Sequence, residues 1–447
     1  MSANLKRDAG ATPSPALRSF EVLWLNRGSD PLSPLREEAM NRLLELGLPT
    51  TRDESWRYTN SRHLTQRTYT DAPAVPAGGL TPQASLSLMG GNERAASVLL
   101  VNGHPSLPTH MDAWYNGIEI RSLRDLMRLD SGLVAAHLQP VSDAELERWG
   151  LANTALFEDG LYLRITAKVA TPLVILHLLT ADSVDQVAHP RVIIDAAPGS
   201  SAIIIEHYVE QGEHPPLCNS VTRISAGRDS RIEHYRVFAT GQAAAHVDSL
   251  SVRQDANSHC KQFTIALGGN TVRCSLEADL QAPGASLDSF SLLVGEHTRH
   301  VDCVNVVTHA ARDTRSRQTA RAIASGTSRV IFNTKVVVDA GAVGADSRQS
   351  CRGLLLSPKA EIDSRPQLEI HADEVKCAHG ATVGRLDPDM LFYLLSRGVD
   401  RETAQSLLVF AFLADVLTDM SVPSARAAIE SALIAQLPDS KVLQAFR

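Results

Sequence analysis

The sequence predicts a mainly β protein: a parallel β-helix core over residues 161–378, with a mainly helical N-terminal domain (1–160) and a helical C-terminal domain (379–447) flanking it. Three observations lead there. From about residue 161, short β-branched runs alternate with polar residues and turns. Turn-like glycines recur at a near-constant interval, and beyond residue 380 strong helix start and stop signals take over.

The N-terminal part reads as helices joined by irregular connections. One helix has Ser33 as N-cap, Pro34 at N1, apolar Leu35, Met40, Leu43, Leu44 and Leu46, and Gly47 as its stop. Ser142 and Glu145 stand at capping-box spacing and open a helix towards Trp149. The stretch from Asp71 to Gly79 is rich in Pro, Gly and Ala and reads as a linker or surface loop. Ser97 to Val101 and Gly117 to Ile120 read as strands.

In the core, strands are expected at Ile193-Ile194, Ala202 to Ile205, Arg231 to Val237, Ser286 to Leu293, Val301 to Thr308 and Val330 to Val338. Ile205-Glu206-His207-Tyr208 recurs as Ile232-Glu233-His234-Tyr235. Gly199 and Gly227 are separated by one interval of about 28 residues, and Gly284 and Gly341 follow at double that interval, within the period range of stacked coils. Asn257 and Arg312-Asp313 hold the skipped turn positions. A meander sandwich also has regular turns; the period favours stacked coils.

In the C-terminal part, Asp387 as N-cap and Pro388 at N1 start a helix that Gly398 stops. Asp400 starts a second helix and Pro423 a third. The second is apolar nearly all round from Ser406 to Leu417, as in a helix that is deeply buried or half-buried against a partner.

Composition narrows the function. The chain has 447 residues, with 43 Lys+Arg against 50 Asp+Glu, a net charge of −7, and only 5% aromatic residues. This balance argues against a nucleic-acid or anionic-membrane binder. The longest apolar stretch, Leu407 to Leu417, is interrupted by Asp415 and too short for a bilayer. The polar start has no apolar segment after it, so the cytoplasm is the expected compartment. Cys218, Cys260, Cys274, Cys303, Cys351 and Cys377 are then expected as thiols, and none forms a Cys-x-x-Cys pair. No Gly-Lys pair occurs, which removes the phosphate loop; metalloprotease, nucleophile-elbow and dinucleotide motifs are missing too.

What remains is the segment from His371 to Gly384. Cys377 and His379 are two residues apart, so in an extended strand they share a face. A thiolate beside an imidazole suits iron or zinc, with further ligands from another coil or chain. The structural alternative is a small buried thiol and a histidine capping the next turn. With coils of about 28 residues, Cys274 and Cys303, or Cys351 and Cys377, are expected to stack as core thiols. The alternating Arg312, Arg315, Arg317 and Arg321 read as a solvated strand face. His297 and His300 fall in a strand-turn region and are set aside as ligands.

The run from Leu354 to His371, the following Ala372 to Gly384, and Leu391 to Gly398 together closely resemble the SufB/SufD family of iron–sulfur cluster assembly proteins. Glu54-Ser55-Trp56-Arg57-Tyr58-Thr59 resembles a signature of its SufD branch, and His379-Gly380-Ala381-Thr382 has that branch's form. The resemblance is dense over about 350 to 415 and looser elsewhere. It implies a right-handed parallel β-helix and a non-catalytic scaffold in a complex of SufB, SufD and two copies of the ATPase SufC. It places the nucleotide chemistry in SufC, docked by the C-terminal helices, where Leu407, Leu408 and Phe412 are candidate contacts. It makes His379, with Cys377 beside it, the contribution to an iron or cluster site shared with SufB. No cofactor is expected to stay on this chain alone. Transient iron or cluster, and reduced flavin, belong to the assembled complex, and a homodimer is open when SufB is absent. The alternative from another class is a β-helix carbohydrate-active enzyme, a lyase or hydrolase. That reading needs clustered carboxylates, and the acidic residues of the core are scattered.

Overall fold

The computed structural model describes residues 13–74, 96–106, 113–138, 148–181, 183–212 and 214–437. It is a parallel β-solenoid of about eight turns with helices at both ends. Successive strands join alternate sheets. One sheet runs from Arg191–Ala196 through Leu217–Ala226, Ala245–Gln254, Thr271–Leu280, His300–His309 and Arg329–Val338 to Glu361–Ile370. The facing sheet runs from Leu173–Thr180 through Ser201–Gln211, Arg231–Phe238, His259–Ala266, Ser286–Gly295, Arg315–Ala324 and Asp346–Leu355 to Lys376–Gly384. Every expected core strand lies in one of these.

Coil length varies. Ser201 pairs with Arg231, His259 with Ser286, and Arg329 with Glu361, so the second of these turns is the shortest and the third the longest. The Ile-Glu-His-Tyr echo is out of step with this: Ile205 pairs with Tyr235 and not with Ile232, because that coil is longer than the spacing of the echo. Each turn has a residue in the left-handed region at one corner: Gly199, Asp229, Asn257, Gly284, Asp313, Gly344 and Glu374, with φ from 55° to 80°. Gly227 and Gly341 precede this position; Asp229 and Gly344 hold it. Asn and Asp tolerate the conformation because their short polar side chains bond locally.

The two ends of the solenoid are finished differently. At the N-terminal end, Ile118–Ser122 pairs antiparallel with Leu161–Ile165, and Ala96–Val101 lies beside Leu173–Thr180. Helices Leu123–Leu129 and Arg148–Leu156 cover this end with buried Leu123, Leu126, Trp149 and Leu156. At the other end, Glu361–Ile370 and Lys376–Gly384 have a neighbouring strand on one side only. Of the expected helix from Ser142, residues 142–147 lie outside the described residues, as do 75–79 of the expected linker. The helix Ser33–Leu46 forms, but Leu32 occupies its N-cap. The Ser33 hydroxyl instead accepts from the Asp30 amide (2.9 Å), while Asp30 takes the Leu32 amide and Arg36.

The C-terminal helices Pro388–Ser396, Arg401–Leu417 and Pro423–Gln436 carry the expected caps at Asp387 and Asp400, and Gly398 turns at φ 85°. The second and third pack on the outer face of the second sheet, over a stack of Tyr235, Phe263 and Phe290 with ring centroids 4.7 and 4.8 Å apart.

Candidate functional site at the open end of the solenoid

The last strand, Lys376–Gly384, carries both candidate donors. Cys377 pairs with Ser347 and packs against the interior cluster, so this position points into the solenoid. His379 lies two residues on, on the same face, opposite Gln349, and is exposed because no coil follows. Partial burial raises the Cys377 thiol, and a hydrogen bond with the Ser347 backbone opposes that shift. Deeper in, burial pushes Cys351 up to about 11, with Ser364 and Thr334 beside it. The expected Cys274–Cys303 stack forms, both thiols being fully buried. The Cys351–Cys377 stack does not: Cys351 lies opposite Ala381, because this coil is longer than the spacing of the two cysteines.

On the last strand of the other sheet, Glu369 is held by Lys335 (2.7 Å) and His371 (3.0 Å), which keep its carboxyl below the usual range. Among the described residues, no group of three or more His, Cys, Asp or Glu side chains is placed to hold a metal ion. The helix Pro388–Ser396 has no buried residue. Its Met390, Phe392 and Tyr393 are 59, 71 and 58% exposed and, with Ile370 and Val383, give this end apolar surface. An apolar surface around two open strand edges is what a pairing partner covers.

The helix Arg401–Leu417 buries Val409, Leu413, Val416 and Leu417 against the sheet. Leu407 and Phe412 are half-buried against the same cluster, whereas Leu408 is half-buried outside it. Of the arginines read as a solvated face, Arg312 and Arg315 are exposed as expected, whereas Arg317 and Arg321 have another task. Arg321 pairs with Asp415 (2.5 Å) and lies over the Phe412 ring, and Arg317 reaches Asp288 and Asp419. They fasten the helix to the sheet. Asp415 and Asp419 lie far along the chain from these arginines, where no local pattern reveals them.

Two further sets of residues escape pattern reading. Trp56 is buried under the Arg273 guanidinium at 4.6 Å, and the Thr59 hydroxyl meets Asp302 and the His300 ring. With Glu54 on Arg365 (2.9 Å), the Glu54 to Thr59 motif is a seam between N-terminal segment and solenoid. Inside the solenoid, Glu206 sits between His177 and His234, each at 2.8 Å. Burial would raise its carboxyl, but these hydrogen bonds outweigh it and hold the group well below the usual range. Beside it the fully buried Arg236 binds Asp248 and Thr264. These groups meet only across coils.

Residues 177–412, more than half of the chain, match the family described as "SUF system FeS cluster assembly, SufBD core domain". The chain belongs to the SufBD family. Residues 21–175 match the SufBD N-terminal region. The iron–sulfur cluster assembly protein SufD of Escherichia coli is 28% identical over 410 residues, covering 90% of this chain and 92% of the relative. SufD of Bacillus subtilis is 23% identical over 432 residues, with 93% and 96% covered. The SufBD family protein slr0076 of Synechocystis is 26% identical over 403 residues, 87% of each chain. The SufBD core match includes Cys377, His379 and Phe412. Among the described residues, no helix is long and apolar enough to cross a membrane.

Proposed function

We propose that this SufBD-family protein is the SufD-type, non-catalytic scaffold subunit of a cytoplasmic iron–sulfur assembly complex. Its open end pairs with SufB, and its C-terminal helices dock the ATPase SufC. His379, with Cys377 beside it, contributes to a site for iron or the nascent cluster that the partner completes. Any part played by reduced flavin belongs to the assembled complex. One observation carries the reading: both donors lie on a strand with an unpaired edge, and the helix that follows it in the chain exposes Met390, Phe392 and Tyr393. Neutral imidazole is a good ligand for iron, but two donors do not make a closed site, so the partner supplies the rest. The missing phosphate loop fits an ATPase on a separate chain.

The test is co-expression with SufB and SufC, followed by iron and sulfide analysis of the purified assembly. His379→Ala is expected to leave yield and melting unchanged and to lower the cluster content, Cys377→Ser less so. Normal loading of a His379→Ala assembly would remove the site. For SufC docking, Leu408→Asp is the informative change, since Leu408 lies outside the cluster that holds the helix to the sheet. Loss of SufC with unchanged circular dichroism is expected.

A further inference from the structure

The inward position that ends in His379 forms one column through the solenoid: His234, Gln262, Ser289, Gln318, Gln349 and His379, each opposite the next in register. All but the last are buried, at 0 to 4% exposure. A solenoid interior is ordinarily filled by aliphatic stacks, so a line of polar residues requires an explanation. The inner half of the column is satisfied except at the Nδ1 of His234. His234 bonds Glu206 (2.8 Å), Gln262 donates to Thr264 (2.8 Å), and Ser289 donates to Gln262 (3.2 Å). The outer half is not. Neither the Nε2 nor the Oε1 of Gln318 or of Gln349 has a hydrogen-bond partner. These are the two coils directly beneath His379.

We propose that Gln318 and Gln349 are positioning residues for His379. This rests on the reading of His379 as a ligand and deepens it. Neighbouring strands lie about 4.8 Å apart, so a side-chain rotation of Gln349 brings its Oε1 to a ring N–H of His379. Its amide N–H then reaches Oε1 of Gln318, as in the stacked amide ladders of in-register parallel strands. Accepting from one ring nitrogen fixes the tautomer and ring orientation and leaves the other nitrogen as the ligand. A neutral amide does this without adding charge to the site.

The experiment uses the full-length chain labelled with 15N-histidine, alone and metal-free. The ratio of the two His379 ring tautomers is read by NMR, with assignment from His379→Ala. Gln349→Leu is expected to shift that ratio about five- to tenfold, the size of effect one hydrogen bond gives. Gln349→Glu, which keeps an acceptor oxygen in either protonation state, is expected to retain the wild-type ratio. Melting temperature separates a folding defect; should Gln349→Leu melt low, Gln318→Leu is read in its place, with a smaller shift in the same direction. An unchanged ratio in both folded Leu variants overturns the proposal. Failure of the ligand reading shows elsewhere, as normal cluster loading of the His379→Ala assembly whatever the tautomer ratio.

Discussion

At the N-terminal end of the solenoid the strand Ile118–Ser122 pairs with the first coil, and the helix Arg148–Leu156 packs on it through buried Asn153, which bonds the Pro190 and Asn219 carbonyls. At the C-terminal end two strands stop with free edges, and the helix that follows them in the chain buries none of its residues. The chain meets the same problem, an exposed coil, in two ways. The first end finishes in short antiparallel pairings, Ala113–Tyr115 on Ile118–Ser122 and His104–Ser106 on Ala96–Val101, and buries its aromatics internally. The open end leaves strand edges unpaired and Phe392 and Tyr393 exposed, which is what the proposed pairing with SufB would cover.

The contrast predicts where the molecule is fragile, and acid has the largest effect. His189, His207 and His246 lie in the closed half, and burial pushes each down to about 3. An unfolded histidine takes up a proton near pH 6.5, so below that pH protons bind the unfolded chain preferentially. Stability is therefore full above about pH 6.5 and falls as pH is lowered towards 3, by roughly 1.4 kcal/mol per unit for each such group at most. Melting temperatures between pH 7.5 and 4.5 check this; a flat profile would contradict the buried neutral histidines.

Next in size is Trp56→Ala, which empties the space under Arg273 and is expected to cost about 3–5 kcal/mol in denaturant unfolding. Thr59→Val leaves Asp302 and His300 without their hydroxyl partner and should cost about 1–3 kcal/mol by the same measurement. The smallest effect on stability belongs to the open end. Phe392→Ser is expected to change unfolding by less than about 0.5 kcal/mol, since the side chain is exposed. The same change should weaken capture of SufB in a pull-down. A large loss of stability would mean that this helix belongs to the core, and the comparison of ends would fail.

Local signals in the sequence were reliable where the structure is local. Asp387, Pro388, Asp400 and Pro423 mark the C-terminal helices because capping is settled within a few residues. The coil period was legible from the turns, since each coil needs one left-handed corner. The register was not: coils of unequal length let an echo such as Ile-Glu-His-Tyr arise without marking equivalent positions. The shared face of Cys377 and His379 followed from strand alternation alone. Gln349 beneath His379 and Glu206 between two histidines meet between coils, and Arg321 meets Asp415 between coil and helix; one sequence carries no mark of them.

Because each coil rests only on its neighbours, the final coil has half the support of any other and is the natural place for the chain to fray. Amide hydrogen exchange should be fastest in Lys376–Gly384 and slow progressively inwards. A partner strand laid along that edge gives the last coil the neighbour it lacks. Where such a partner binds, ordering of the strand that carries Cys377 and His379 is coupled to association.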